Sequence, residues 1–362
     1  MTIRALFLAP YPMEAASTRF RATQFFPYLE AHGVSCELAS MMTAREFSTF
    51  YSAKGRLEKA VRLISGGVAQ ALRTLQARRF DVIVVQRGAL IFGPPILEWI
   101  FAKVARVPLV FDFDDAIWLQ DPFSTWGRLA KLTKWPSKVS EIVSMASQVV
   151  VCNGYTRDFA LRFARPEVIS VIPTVVDAEL FHPSAKDRSA EPAVGWIGTH
   201  STARYLAEIV EPIRQAAVGR RFRLKIVGSA RDWAVPGVDL VTQPWSLATE
   251  VADYQSLDIG LYPVRDDEWG RGKTGFKPVV YMSSGVACVA SPVGGVSEFL
   301  RDGVNGRLAA TANEWRDTIA ELVDEPRQRE RLAAEGRRTI VDWYSLEKQA
   351  PRLLEVLRVA AR

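Results

Sequence analysis

The sequence predicts an α/β protein made of two doubly wound domains, each with a parallel β-sheet covered by helices on both faces. Its 362 residues are too many for one comfortable hydrophobic core and suit two domains of roughly 180 residues each. Short apolar runs rich in β-branched residues alternate with amphipathic segments, a rhythm typical of βαβ units. A composition of 48% hydrophobic and 24% charged residues excludes disordered and fibrous classes.

Apolar runs define the predicted strands. In the first half they are Ile3 to Ala9, Asp81 to Gln86, Pro108 to Phe113, Gln148 to Cys152 and Val168 to Ile172. In the second half they are Val194 to Gly198, Leu224 to Gly228, Asp239 to Val241, Ile259 to Pro263 and Ala287 to Ser291. Helices are predicted from Ala312 to Val323 and from Pro326 to Trp343.

Between the two sets of strands the periodicity is lost, and Pro, Ser and charged residues gather. We therefore expect an N-terminal domain at residues 1–185 and a C-terminal domain at residues 190–344. A last amphipathic helix at residues 345–362 is expected to pack back on the N-terminal domain.

The net charge and the sequence motifs exclude several classes of function. The net charge of +6 suits phosphorylated ligands or acidic membrane surfaces, but no dense Arg/Lys stripe indicates a nucleic-acid binder. No GxGxxG is placed for a dinucleotide and no GxxxxGK[ST] occurs. The three cysteines are too few and too widely spaced for a disulfide scaffold or a zinc site. The apolar N-terminal run is too short to span a membrane and lacks a signal-peptide cleavage pattern, so we expect a cytoplasmic protein.

The most informative block is DIGLYPVRDDEWGRGKTGFKPVVYMSSGVACVASPVGGVSEFLRDGVNGRL. Lys273 and Lys277 lie near the start of a predicted helix, where their charges and the helix dipole would together hold a diphosphate. A solvated lysine pair on a surface loop is the alternative. The Gly294-Gly295 turn suits either a phosphate-binding loop or a tight connection between strand and helix.

This block resembles the donor-binding region of retaining family-four glycosyltransferases, also described as glycosyl transferases group 1. The segments VIPTVVDAELFHP and AVGWIGTHSTARYL extend the resemblance from Val171 to Gly306, and it continues more loosely over the N-terminal half. It implies the GT-B fold, in which two Rossmann-like domains face each other across a cleft. The implied function is metal-independent transfer of a hexose-type unit, with retention and no cofactor, from a nucleoside diphosphate sugar to a glycan, glycolipid or small-molecule hydroxyl. Polysaccharide biosynthesis is the implied setting.

The resemblance also assigns donor-site residues. It implies phosphate contacts from the loop after the first C-terminal strand, at Gly198 and at Thr199 or His200. Two cations, Arg204 and Lys273, would supply positive charge, and the Ser201 and Thr202 amides would assist at a helix start. Trp245 could pack beside the nucleobase or belong to the core.

Two family glutamates are missing, because their positions are occupied by Gly272 and Val280. Glu268, with its neighbour Asp267, is a candidate substitute for the first glutamate. For the second, which holds the donor ribose in the family, Glu298 or a backbone group is a candidate. The loss also leaves open a catalytically silent nucleotide-sugar-binding protein. A nucleotide-sugar epimerase or hydrolase of the same fold is the other alternative.

In the N-terminal half, FDFDDAIW places Asp112, Asp114 and Asp115 at the end of a strand. Burying unpaired carboxylates is unfavourable, so we expect the run to face a ligand, with Asp114 the first and Asp112 the second catalytic candidate. Helix capping with an ion pair to Arg19 or Arg87 is the structural alternative.

Basic residues offer the remaining ligand contacts. Arg19 and Arg21 follow the first strand and are candidates for contact with an anionic acceptor or the donor phosphate. The segments YSAKGRLEKAVRLISGG and STWGRLAKLTKWPSK combine basic and apolar residues, so either a solvated face or peripheral contact with the inner face of an anionic membrane remains open.

Overall fold

The computed structural model describes residues 2–50, 56–119, 135–185, 191–199, 201–229 and 231–362. The chain divides into two compact units. Unit 1 comprises Met1–Thr174 with Gln349–Arg362, and unit 2 comprises Val175–Lys348. The division between the units falls at Thr174, which is N-terminal to the expected boundary at residues 185–190.

Unit 1 contains a six-stranded parallel sheet in the order β2-β1-β3-β4-β5-β6. Its strands are β1 Ile3–Ala9, β2 Val34–Ser40, β3 Val82–Gln86, β4 Leu109–Phe113, β5 Gln148–Val151 and β6 Ile169–Val171. The strand order reverses between β1 and β3, and open α/β sheets bind ligands at such a point, beyond the carboxyl ends of the strands.

The helices of unit 1 lie between these strands. They are α1 Ala16–Arg21, α2 Phe26–Ala31, α3 Ala44–Phe50, α4 Arg56–Arg73, α5 Ile96–Trp99, α6 Lys138–Met145 and α7 Gly154–Ala160. A 3-10 segment, Thr74–Arg79, continues α4, and a π-helical segment, Ile100–Ala105, continues α5.

Unit 2 contains a second six-stranded parallel sheet in the order β12-β11-β10-β7-β8-β9, which reverses between β7 and β10. Its strands are β7 Ala193–Ile197, β8 Arg223–Val227, β9 Asp239–Gln243, β10 Ile259–Tyr262, β11 Ala287–Ala290 and β12 Arg307–Leu308. Its helices are α8 Ala203–Glu208, α9 Val210–Ala216, α10 Glu250–Gln255, α11 Glu268–Arg271, α12 Phe276–Ser283, α13 Val296–Phe299, α14 Ala312–Asp324 and α15 Pro326–Thr339. The last helix, α16 Leu346–Ala360, crosses from unit 2 into unit 1.

The doubly wound α/β prediction is confirmed in both units. The predicted strands agree with the observed ones to within one or two residues, but β2 and β12 were not predicted. Each sheet is sandwiched in its own apolar core, around Phe111 in unit 1 and Trp196 in unit 2. Among the described residues, no helix is long and apolar enough to cross a membrane.

Candidate active site

Two glycines allow the loops at the carboxyl ends of β7 and β8 to approach each other closely. Gly228 has a φ of +84°, and a Cβ added there would lie 2.0 Å from the carbonyl oxygen of Gly198. A Cβ at Gly198 would lie 2.5 Å from the Lys277 ammonium and 2.4 Å from the Trp196 ring. Only glycine fits at both positions, so the backbone lies directly beside the lysine.

Lys277, at the start of α12, provides a positive charge at this edge of the sheet. Its Nζ donates a 3.2 Å hydrogen bond to Thr202 Oγ1 and lies 4.5 Å from the centroid of the Trp196 ring. Burial, followed by the nearby charge of Lys273, lowers the pKa of Lys277 to about 7. Within the described part of the chain Lys277 forms no ion pair. A half-buried cation without a carboxylate is suited to an incoming anion.

Lys273 lies in the loop before α12 and brings the Gly-Gly turn into the same region. Its Nζ is 4.8 Å from the Trp269 ring centroid, and its carbonyl accepts a 2.8 Å hydrogen bond from the Gly295 amide. Gly294 has a φ of +66°, and a Cβ there would be 2.6 Å from the Lys273 carbonyl oxygen. The turn is therefore a tight connection, and it also fixes the backbone that carries Lys273.

The loop after β7 uses its amides internally. The Thr202 and Ala203 amides both donate to the Thr199 carbonyl, so the expectation that the Thr202 amide assists a phosphate is wrong. Thr199 itself is exposed. Arg204 is half-buried, with its Nε donating 2.9 Å to the Ser201 carbonyl. His200 lies outside the described residues.

Trp245 lies beside Gly228, the glycine that follows β8. Its Cβ would be 3.1 Å from a Cβ at Gly228, and its Nε1 donates 3.2 Å to Glu250 Oε1. The ring is half-buried, an arrangement that suits a platform as well as packing.

The candidate substitutes for the missing glutamates lie on two one-turn helices. Glu268 begins α11 and Glu298 lies in α13, and both are exposed. Asp267 is used as the N-cap of α11, where its Oδ1 accepts a 2.7 Å hydrogen bond from the Gly270 amide. Val280 is fully buried, so the position of the second glutamate provides only apolar packing.

At the carboxyl edge of the unit 1 sheet, Asp112 and Arg21 form a buried ion pair. Arg21 Nη2 and Nε lie 2.5 and 3.0 Å from the two carboxylate oxygens, and its Nη1 donates 2.7 Å to the Ile172 carbonyl. Burial raises the pKa of Asp112, although the Arg21 charge opposes that shift. Arg21 is buried and its charge is paired with Asp112 inside unit 1, which argues against the expected contact with an acceptor or phosphate.

Asp114 and Asp115 share Arg87 as their partner. Arg87 Nε lies 2.5 Å from Asp114 Oδ1, and its Nη2 lies 2.9 Å from Asp115 Oδ2. Although burial opposes ionisation, the Arg87 charge lowers the pKa of Asp114, so this carboxylate is ionised at neutral pH. Arg87 has a left-handed backbone with a φ of +59°, a strained state that folds tend to keep at functional sites.

Of the two arginines named in the structural alternative, Arg87 meets the acidic run. Arg19 donates 3.2 Å to the Glu14 carbonyl and lies 4.7 Å from the Phe20 ring centroid.

Two participants, Trp196 and Gly228, were missed in the sequence, and Thr202 was named there only for its amide. Trp196 lies within the apolar run of β7, where nothing distinguishes it from a core residue, and the Thr202 hydroxyl approaches Lys277 only through the fold. Gly228 did leave a signal, since a glycine directly after a strand in an α/β pattern indicates a close backbone approach.

Comparisons with known proteins place this geometry in context. Residues 191–325 match the family described as glycosyl transferases group 1. A curated relative, an MMP alpha-(1->4)-mannosyltransferase of Mycolicibacterium hassiacum, is 26% identical over 320 residues, covering 81% of this chain and 75% of the relative.

Solved structures share the fold over the whole chain. The chain is similar to a glycosyltransferase from Rickettsia africae, with a TM-score of 0.70 at 12% identity, covering 100% of this chain and 99% of the other. It is also similar to HepE from Anabaena in complex with UDP and glucose, with a TM-score of 0.69 at 17% identity, covering 98% and 99%.

Proposed function

We propose that this glycosyltransferase of the GT-B fold, whose residues 191–325 match glycosyl transferases group 1, transfers a hexose-type unit from a nucleoside diphosphate sugar. The proposed transfer proceeds with retention of anomeric configuration. The acceptor is a hydroxyl of a glycan, a glycolipid or a small molecule. The observation that carries the proposal is the half-buried Lys277 ammonium beside Gly198, which has the chemistry of a diphosphate site.

Fixed positive charge is the proposed means of stabilising the leaving diphosphate. Lys277 and Lys273 lie close enough for their charges to interact, and Arg204 begins the helix after the β7 loop. Preorganised cations at the point where negative charge develops lower the barrier to departure. We propose that they replace a divalent metal ion. The described residues contain no group of three or more His, Cys, Asp or Glu arranged as ligands.

Asp114 is the proposed catalytic carboxylate of unit 1. Its lowered pKa makes it a weak base but a permanent negative charge, suited to stabilising an oxocarbenium-like transition state. The Asp112–Arg21 pair is assigned instead to supporting the sheet edge.

Two further contacts belong to the proposal. Trp245 is proposed to pack beside the nucleobase, and Glu298 or a backbone group is proposed to meet the ribose in place of the missing glutamate. The comparisons favour a transferase over an epimerase, a hydrolase or a silent binding protein.

A direct test combines binding with turnover. Purified protein is screened by thermal shift against UDP, GDP, dTDP and ADP sugars, and the sugar that stabilises it is incubated with acceptors in EDTA. We expect transfer without metal, with an NMR product spectrum showing the donor's anomeric configuration. Transfer that stops in EDTA and returns with manganese would overturn the metal-independent mechanism. Release of free sugar at the same rate with and without an acceptor would overturn transfer itself.

A location at the inner face of a membrane, next to a lipid-linked acceptor, is part of this proposal.

A further inference from the structure

An apolar stripe runs along the outer face of α4 and into the 3-10 segment that follows it. Val61, Ile64, Val68, Leu72 and Leu75 are between 53% and 82% exposed. Their spacing of three and four residues is the helical repeat, so within α4 they share one face. Isolated exposed apolar residues are ordinary, but a continuous row of this length indicates a contact surface.

The opposite face of α4 is anchored in unit 1. A Cβ at Gly66 would lie 2.1 Å from the Met41 carbonyl oxygen, and the buried Gln70 donates a 2.8 Å hydrogen bond to the Ala39 carbonyl. Gly66 lies two residues from both Ile64 and Val68, about 200° around the helix. These close contacts fix the rotation of α4 and hold the stripe outward.

The segment that carries the stripe is strongly basic. Residues 56–79 contain six basic residues and one acidic residue, Glu58; the basic ones are Arg56, Lys59, Arg62, Arg73, Arg78 and Arg79. Among the described side chains, Arg62 pairs with Glu58, Arg73 pairs with Glu37 at 3.0 Å, and Arg78 and Arg79 are exposed just after α4. An exposed apolar face on a helix with a net positive charge is the pattern of a helix lying in the plane of a membrane interface.

We propose that the Val61–Leu75 stripe docks the protein on an anionic lipid bilayer. The apolar row would enter the boundary between headgroups and acyl chains, and the exposed Arg78 and Arg79 would meet anionic headgroups. A second copy of the chain complements the stripe poorly, because pairing two stripes would bring together two segments that each carry six basic residues and one acidic residue. Charge complementarity therefore favours the bilayer.

The helix α4 packs against a loop at the carboxyl edge of the unit 1 sheet, where Asp112, Asp114 and Asp115 lie. A Cβ at Gly67 would be 3.6 Å from Leu90 Cδ2, in the loop that also carries Arg87. The helix on the membrane would thus pack against the loop that holds Asp114. That docking would bring a lipid-linked acceptor near Asp114 rests on the proposed function, whereas the docking itself does not.

The test is co-sedimentation of the full chain with vesicles of equimolar phosphatidylglycerol and phosphatidylcholine, compared with phosphatidylcholine alone. We expect binding to the anionic vesicles that weakens as salt is added. The double change Ile64→Ser with Leu72→Ser should lower the partition coefficient by ~10-fold or more. Val218→Ser in unit 2 is the matched control, because Val218 is 68% exposed against 67% for Ile64, and it should bind as the wild type does.

A second variant tests the charges. Arg78→Gln with Arg79→Gln should weaken binding and flatten its salt dependence while leaving the stripe intact. The proposal is overturned if the wild type does not sediment with anionic vesicles, or if the Ser variant binds as well as the wild type. It is also overturned if sedimentation analysis shows a dimer that the Ser variant dissolves. Because donor binding is measured separately by thermal shift, failure of docking is distinguishable from failure of the glycosyltransferase proposal.

Discussion

The environment of single residues decides which charges are available to a ligand. In the buried Arg21–Asp112 pair each charge has its partner, and Arg21 Nη1 also donates to the Ile172 carbonyl. Lys277 differs, because aromatic rings and the Thr202 hydroxyl surround its ammonium and its nearest charge is another lysine. Such a cation gains more from an anionic ligand than a solvated lysine does, since its charged form is poorly stabilised beforehand.

Donor affinity should therefore depend on pH. A bound diphosphate favours the charged form of Lys277, so binding takes up a proton wherever the free site is partly neutral. With a pKa of about 7, affinity should be highest below that value and fall as the pH rises through it. The intact nucleoside diphosphate sugar is the ligand to titrate, because its diphosphate does not ionise in this range. Calorimetry in buffers of different ionisation enthalpy would show the proton uptake.

The matched variant is Lys277→Arg, which keeps the positive charge at every pH in that window. Its donor affinity should be nearly independent of pH, whereas Lys277→Met should bind at least ~10-fold more weakly at the acidic end. An unchanged pH profile in both variants would assign the titration to another group.

The buried ion pair should matter for stability. Asp112→Asn leaves the Arg21 charge buried without its partner, and such losses amount to about 3–5 kcal/mol of unfolding free energy. Asp81→Asn breaks the exposed Arg4–Asp81 pair, joined at 3.0 Å, and should cost no more than about 1 kcal/mol. Urea unfolding of the two variants measures the difference, and equal losses would contradict the structural role of Asp112.

Asp114 should affect transfer and leave donor binding largely unchanged. It belongs to unit 1, whereas the proposed donor site lies in unit 2. Asp114→Asn removes the charge at nearly constant volume, so turnover should fall by ~100-fold while donor affinity stays within a few-fold. Asp115→Asn is the control, because it disturbs the same Arg87 fork. If turnover falls equally in both variants, the effect comes from Arg87 and not from Asp114 itself.

At the scale of elements, apolar patterning predicted both sheets because strands buried on both faces produce continuous runs of Val, Ile and Leu. The edge strand β2, VSCELAS, contains Ser35, Glu37 and Ser40 and is only partly buried, so its apolar run is broken. The strand β12 has two residues, too few for any pattern. The sequence predicted that Lys273 and Lys277 lie near the start of a helix. The contact of Lys277 with Trp196 could not be predicted, because it depends on the packing of α12 against the sheet.

The turn after β8 gives a prediction at this scale. Gly228→Ala combines backbone strain with a clash against the Gly198 carbonyl, while Gly219 also has a positive φ of +74° but has nothing within 4 Å of its added Cβ. Gly219→Ala should therefore show strain alone, about 1–2 kcal/mol. Gly228→Ala should lose more stability and should also weaken donor binding, because the β7 loop must move. Equal thermal shifts and donor affinities in the two variants would show that the close approach is dispensable.

At the scale of the whole molecule, the chain leaves unit 1 at Thr174 and returns to it at Gln349. The returning segment is most of α16, whose apolar face is buried through Leu353, Leu354 and Leu357. Unit 1 is therefore completed only by a segment that follows the whole of unit 2 in the chain.

Weakening or removing α16 should destabilise unit 1 while unit 2 keeps its stability. Leu357→Ala removes a fully buried side chain and should destabilise unit 1 by about 2–5 kcal/mol. Val359→Ala, on the exposed side of the same helix, should change little. Hydrogen exchange would measure the effect, with amides of β1 and β4 losing protection and those of β7 and β10 keeping it. Deleting residues 349–362 should exaggerate this pattern, abolishing transfer while the donor sugar still protects unit 2. Uniform loss of protection across both sheets would mean that the two units unfold as one.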